Sequence, residues 1–156
     1  MTRTGWRIVP AATAATAFDG EGARLYGGRW NNPGLPVVYA AGSLSLAAIE
    51  YLVHIDQANA PDDLIATMLD IPDEIERETV KAKDLPSGWD RKSLHPACRE
   101  IGDAWLRKNE TLVLQVPSAP ISGESNYLLN PRHRSMARVR VTSKKRFAFD
   151  PRLTRG

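Results

Sequence analysis

Three side chains with chemical potential fall at nearly even intervals early in the chain. Arg29, Tyr39 and Glu50 are separated by ten and eleven residues, inside the stretch Tyr26 to His54. Arg29 follows the pair Gly27-Gly28, and glycines let backbone N–H groups approach a ligand closely. An arginine fork grips phosphate oxygens with two parallel hydrogen bonds. Tyr39 sits in the apolar run Val37-Val38-Tyr39-Ala40, where its ring can stack on a planar heterocycle. Glu50 is a lone carboxylate at the edge of an apolar helical stripe. A carboxylate so placed can hold a ribose hydroxyl and stabilise a developing cation, as carboxylates do beside oxocarbenium-like transition states. Each has a plainer alternative: a glycine turn with a surface arginine, a core tyrosine with a satisfied hydroxyl, and a half-exposed helix glutamate.

Ser118, after Val116-Pro117, and Asn126, in Asn126-Tyr-Leu-Leu-Asn-Pro131, form a second unusual stretch. Their side chains suit either a ligand amide or ribose, or the capping of turns. His54, His95 and His133 are scattered, with no acid or cysteine at metal-ligand spacing, so no metal is expected. Cys98 is the only cysteine, which leaves no intrachain disulfide, and its helical surroundings read it as a small buried residue. No Walker, Rossmann or GxSxG fingerprint occurs.

The elements that must position these groups follow from periodicity and breakers. Trp6–Val9 alternates and stops at Pro10, a first strand. Val37–Ala41 is a short buried strand. Ser43 or Gly42 caps a helix whose stripe is Leu46, Ile49, Leu52 and Val53, with Glu50 at its edge. Leu64–Ile71 is a strand closed by Pro72, and Ile75–Val80 a weaker one. Pro96–Asn109 is a helix and Thr111–Val116 a strand ended by Pro117. Ser118–Arg134 reads as loop-rich, and Ala137–Val141 and Arg146–Phe149 as two late strands. Many short strands with two clear helices predict an α+β fold with mostly antiparallel pairing.

At 156 residues, 42% apolar and 25% charged, the chain is expected to be one domain, 1–156, with a single sizeable core. It shows no apolar run long enough to span a bilayer and no signal-peptide pattern, so a cytoplasmic setting and no membrane partner are expected. The net charge of +3 is uneven. Basic residues dominate from Arg132 to Arg155 against the single acid Asp150. With no helix-turn-helix pattern and no aromatic ladder among those residues, direct nucleic-acid binding is not expected. A non-enzymatic basic module, acting through Arg138, Arg140, Lys144 and Lys145, is the competing class.

Seven blocks in order carry a family resemblance: Gly22-Ala-Arg-Leu-Tyr-Gly-Gly-Arg-Trp-Asn31, Val37-Val-Tyr-Ala40, Ala47-Ala-Ile-Glu50, Gly102-Asp-Ala-Trp105, Val116-Pro-Ser118, Asn126-Tyr-Leu-Leu-Asn-Pro-Arg-His133 and Phe149-Asp-Pro-Arg-Leu153. Together they resemble the RES-domain toxins of bacterial type II toxin–antitoxin pairs, named for an Arg, a Glu and a Ser, here Arg29, Glu50 and Ser118. The resemblance implies an ADP-ribosyltransferase-like α+β fold with mostly antiparallel sheets and flanking helices. It also implies cleavage of the nicotinamide–ribose bond of NAD+, which serves as substrate, with no metal or other cofactor. ADP-ribose then passes to water, to phosphate or to a protein acceptor. Glu50 matches the catalytic glutamate, Arg29 the arginine on the NAD+ phosphates or ribose, and Tyr39 the tyrosine beside nicotinamide. Ser118 matches the family serine, while Asn126, Tyr26 and Gly28 fall in family blocks and are taken as substrate-binding. The implied partner is an Xre-like DNA-binding antitoxin covering the active site, and a homodimer within that complex is one arrangement left open. Gly123-Glu124-Ser125 departs from the family pattern, which has a more basic lead-in to Asn126. The residue two before Glu50 is Ala48, where transferases to protein often carry a second acid, so water or phosphate is the acceptor this sequence favours.

Overall fold

The computed structural model describes residues 1–56 and 59–154. Arg155 of the basic tail lies outside them. Among the described residues, seven strands and four α-helices run in the order β1 (Thr2–Pro10), α1 (Glu21–Tyr26), β2 (Val38–Ala41), α2 (Leu44–Leu52), β3 (Leu64–Pro72), β4 (Arg77–Thr79), α3 (Pro96–Lys108), β5 (Val113–Pro117), β6 (Ser125–Leu129), β7 (Arg140–Phe147) and α4 (Pro151–Thr154). Short 3₁₀ turns punctuate them at Ala11–Thr16, Ala82–Asp84 and Arg134–Arg138.

The strands form one sheet in the order β4-β5-β6-β2-β1-β3-β7. Only β4–β5 is parallel among the described pairings. The expected α+β class with mostly antiparallel pairing is what the chain adopts. The sheet has a seam: β1 and β2 are joined by the single pair Trp6↔Ala41, whereas β1 and β3 pair along all nine residues. Across the seam the Arg7 guanidinium donates to the Tyr39 carbonyl at 2.9 Å, satisfying a backbone group the splayed strands leave open. Burial pushes the Arg7 guanidinium pKa down, against the opposing charge of Asp19.

Opposed residues of an antiparallel pair share a face. Tyr39, Ala41, Leu128 and Asn126 therefore look to one side of the sheet. On that side α3 packs over Leu114, Val116 and Leu128 through Cys98, Trp105 and Leu106, with Trp30. There α2 packs over Ile8, Ala41 and Ala66 through Leu46 and Ala47. The other side buries Val38, Leu69, Ile71, Val113 and Leu129.

Caps explain the two longer helices. Ser43 Oγ accepts from the Leu46 N–H at 3.1 Å, and His95 Nδ1 from that of Ala97 at 3.1 Å, ahead of Pro96. The expected stripe of α2 is shorter than predicted: Leu46, Ala47 and Leu52 are buried, but the helix ends at Leu52 and Val53, its C-cap, is 52% exposed.

Three expectations are corrected. The stretch Ser118–Arg134 contains β6, a strand paired on both sides by β5 and β2. Its Asn126-Tyr127 start, between Gly123 and Pro131, resembles loop chemistry, and only the two neighbouring strands impose extension. The two late strands are instead the single strand β7, preceded by a 3₁₀ turn. As an exposed edge, β7 carries Lys144, Lys145 and Arg146, which both hide the period-two signal and discourage edge pairing. The weak Ile75–Val80 strand shrinks to the three residues of β4.

Candidate functional site

Glu50 lies in the last turn of α2, half-buried. Its Oε1 accepts from the Ser118 hydroxyl at 2.9 Å and from the Asn126 amide at 3.1 Å. Three residues separated by 68 and 76 positions in sequence thus converge on one carboxylate oxygen. Among the described residues Oε2 accepts no hydrogen bond, so one oxygen is anchored and the other is free for a ligand hydroxyl.

The local fold sets this arrangement. Ser118 follows the end of β5 and is 2% exposed. Its N–H bonds the Glu124 carbonyl at 2.8 Å, closing a turn through Gly123 at φ +89°. Its Oγ also accepts the Ile121 N–H at 3.2 Å, so the hydroxyl proton is directed to Glu50. Asn126 pairs with both Ala41 and Val116. Its Oδ1 is buried without a partner among the described residues.

Arg29 and Tyr39 belong to a second cluster. Gly28 and Asn31 pair across a tight turn with Arg29 and Trp30 at its corner. Asn31, wholly buried, donates to the Ala23 and Asn32 carbonyls and accepts the Tyr39 hydroxyl at 2.5 Å. That hydroxyl in turn accepts the Trp30 N–H at 3.2 Å. A Cβ on Gly28 would lie 2.8 Å from Tyr39 Oη, so glycine is what allows the turn to lie against the phenol. Burial pushes the Tyr39 pKa well up, opposed by the Trp30 N–H and by the charges of Arg99 and Arg29, and reinforced by Asp103. The Arg29 fork donates to the Trp89 carbonyl at 2.7 Å and the Arg91 carbonyl at 3.0 Å.

One face of α3 templates this turn. Arg99 Nε donates to the Gly28 carbonyl at 3.2 Å. The carboxylate of Asp103, 6% exposed, accepts the Asn32 N–H at 3.1 Å and its side-chain amide at 2.8 Å. Between them Gly102 meets Trp30 so closely that a Cβ would sit 1.6 Å from the Trp30 oxygen. Residues three and four apart share a helix face, so Arg99, Gly102 and Asp103 supply a donor, a notch and an acceptor to one loop. None of these three roles, nor that of Asn31, is signalled by a local motif. The Arg99/Gly102/Asp103 spacing was the available signal.

The clusters are linked through the sheet. Tyr39 opposes Leu128 and Ala41 opposes Asn126, which makes Tyr39 and Asn126 diagonal neighbours on one face, roughly 7–8 Å apart. Glu50, Ser118 and Asn126 are therefore in direct contact, Arg29, Tyr39 and Gly28 form a second contact set, and the face of β2 and β6 joins them. Tyr26, the last residue of α1, is 81% exposed and makes no hydrogen bond to either set. Neither of two shallow hollows contains Glu50, Arg29 or Tyr39. One is lined by Asn32, Leu35, Asp103 and Arg107, the other by Val80, Gln115, Glu124 and Ser125. The hydrogen-bond geometry marks the site.

Chemically, an anchored carboxylate with a free oxygen can stabilise a cation and orient a hydroxyl, while a pinned aromatic and arginine forks can hold a heterocycle and an anion. Two of the three histidines, His95 and His133, act as caps through Nδ1. Among the described residues no helix is long and apolar enough to cross a membrane.

A family described as the RES domain matches residues 4–150. The Prs ADP-ribosylating toxin of Sphingobium sp. (strain YBL2) is 34% identical over 159 residues, covering 99% of each chain. Toxin Res of Yersinia enterocolitica serotype O:8 / biotype 1B is 38% identical over 152 residues, covering 95% of this chain and 97% of its own. The fold is shared with a chain of the M. tuberculosis MbcT-MbcA toxin–antitoxin complex, at TM-score 0.75 and 21% identity, over 94% of this chain and 85% of that one.

Proposed function

The chain belongs to the RES domain family of toxins, and on that premise we propose that it consumes NAD+ by breaking the nicotinamide–ribose bond, with Glu50 as the catalytic carboxylate. The observation that carries this reading is the one-sided anchoring of Glu50: Ser118 and Asn126 hold Oε1 and leave Oε2 open. In the proposed step the C1′–N bond breaks and its electron pair goes to the pyridinium nitrogen, so nicotinamide departs neutral. Positive charge spreads over C1′ and the ring oxygen. Glu50 Oε2 accepts a ribose hydroxyl and opposes that charge, while the two donors on Oε1 hold the carboxylate in place. Tyr39 flanks the nicotinamide and Arg29 the diphosphate. Ser118 is a positioning residue here, since its proton is committed to Glu50. The scheme requires no metal and resembles the chemistry of ADP-ribosyltransferase-like folds.

The acceptor in this reading is water or phosphate. Ala48, two residues before Glu50, packs against the apolar cluster under α2 and offers no group to orient a protein nucleophile. The Sphingobium relative, named for ADP-ribosylating Prs, favours transfer to a protein as the second reading. The likeness to a chain of a toxin–antitoxin complex supports an antitoxin partner, with an Xre-like protein over the Glu50 face as the specific proposal and a homodimer as one arrangement of that complex.

The test is to incubate the purified chain with NAD+, with and without inorganic phosphate, and follow products by proton NMR. Nicotinamide and ADP-ribose without phosphate mean hydrolysis, and release only with phosphate means phosphorolysis. Labelled NAD+ that modifies one protein in a lysate, with free NAD+ otherwise intact, moves the protein-acceptor reading forward. Intact NAD+ and no labelling would overturn the enzymatic reading.

A further inference from the structure

The Gly28–Arg29 turn holds a second guanidinium besides Arg29. Arg99, in the second turn of α3, donates Nε to the carbonyl of the peptide that immediately precedes Arg29. Both arginines act electrostatically on the same Tyr39 hydroxyl. Both are tethered by backbone carbonyls alone: Arg29 by those of Trp89 and Arg91, Arg99 by that of Gly28. Neither forms an ion pair among the described residues. Asp103, the carboxylate on the same face of α3, has one oxygen on the Asn32 N–H and the other on its amide.

Two like charges held beside one peptide repel, and carbonyl dipoles offset only part of that repulsion. Most N–H donors of both forks stay unused, including both terminal nitrogens of Arg99, which have no partner among the described residues. A structural role explains the two bonds of Arg29 and the one of Arg99, but not two unneutralised forks on one turn. We infer that Arg99 and Arg29 form a paired clamp for a diphosphate, and that Arg99 is a substrate-binding residue of this chain. The inference rests on the NAD+ reading for its substrate, since a dinucleotide carries that group. The turn is held for it from both sides: Gly28 lets it lie against the Tyr39 phenol, and the notch at Gly102 lets α3, which carries Arg99, come into contact with Trp30. Arginine rather than lysine is called for because each phosphoryl group accepts a planar pair of bonds.

The clamp is tested with inorganic pyrophosphate as the probe, by isothermal titration on the full chain, comparing the parent with Arg99→Gln. Circular dichroism and melting temperature check the fold of the variant. Affinity should fall on the order of tenfold or more, the effect of losing a charge-assisted hydrogen bond. KM for NAD+ should rise by a similar factor with kcat nearly unchanged. Nicotinamide riboside, which lacks the diphosphate, should bind parent and variant alike, a discrimination that general loosening of the turn would not produce. A parent that does not bind pyrophosphate, or a folded Arg99→Gln that binds it as the parent does, overturns the clamp. If Arg99→Gln does not fold, Arg99→Lys decides, because it keeps the charge and loses the fork: weaker pyrophosphate binding supports the clamp and equal binding overturns it. Failure of the NAD+ reading is seen separately, as intact NAD+ beside a parent chain whose pyrophosphate binding still depends on Arg99.

Discussion

The Glu50 cluster and the Arg29 turn lie on the same face of the sheet, yet they are held by different means. Glu50 is held by two side-chain hydrogen bonds, from the residue that follows β5 and from β6, both far from α2 in sequence. The Arg29 turn is held through its own backbone by Arg99, Gly102 and Asp103, and through buried Asn31 and Tyr39. The first arrangement orients a reactive group and leaves one oxygen free. The second makes the shape of a binding surface part of the core. Changes in the Glu50 cluster should therefore move turnover and spare stability, and changes around the Arg29 turn should do the reverse.

The sharpest test of that division is Glu50→Gln. It is expected to lower kcat on the order of a hundred- to a thousandfold with an unchanged melting temperature, since Gln keeps the shape and loses the charge. Steady-state NAD+ consumption with a parallel thermal melt reads both, and a Gln variant consuming NAD+ at the parental rate would sink the assignment. Gly102→Ala probes the opposite half. Its Cβ has no room against the Trp30 carbonyl, so α3 and the turn must part. A cost of about 3 kcal/mol, or a fall of roughly 6–12 °C in melting temperature, is expected for such overpacking. KM should rise more than kcat falls, and a variant as stable as the parent would show that the notch is not binding the two elements together.

Ser118→Ala should be milder than Glu50→Gln. It removes one of two donors to Oε1, and a kcat loss of roughly tenfold with KM little changed matches one hydrogen bond to a charged group. A loss as deep as that of Glu50→Gln would make Ser118 a reacting group and collapse its positioning role. The smallest effect is set by pH. Tyr39 has its folded-state pKa raised above the ordinary value of 10.0 by burial. The stability tied to its neutral form is thus complete below about pH 10 and declines as pH rises, because the unfolded phenol ionises first. From pH 10 to 12 the decline approaches about 1.4 kcal/mol per pH unit for one group. Tyr39→Phe, less stable at neutral pH for want of the Asn31 and Trp30 hydrogen bonds, should show a shallower alkaline decline in urea melts. Equal slopes would mean that the phenol is not sealed in.

How far the sequence could be read differs between the two halves as well. The elements carrying Arg29, Tyr39 and Glu50 were legible because local signals agree: Gly27-Gly28 for the turn, Pro-bounded apolar runs for strands, Ser43 for the helix start. Strand β6 and the unbroken β7 were not. Central pairing imposes extension on Asn126-Tyr127, and an exposed edge strand needs no apolar alternation. Tyr26 lay in the block that singled out Arg29, but the end of α1 turns it to solvent.

By itself the sequence determined the α+β class, the main helices and strands, and the residue types that make cation stabilisation plausible. Those follow from periodicity, capping and breakers, which act over a few residues. Only the tertiary structure decided that Ser118 and Asn126 meet on the same oxygen of Glu50, that Tyr39 is pinned by Asn31, and that α3 supplies Arg99, a notch and Asp103 to the Arg29 turn. These contacts join residues eight to 76 positions apart. They depend on strand register and on which helix face meets the sheet, and neither is encoded in any local stretch of chain.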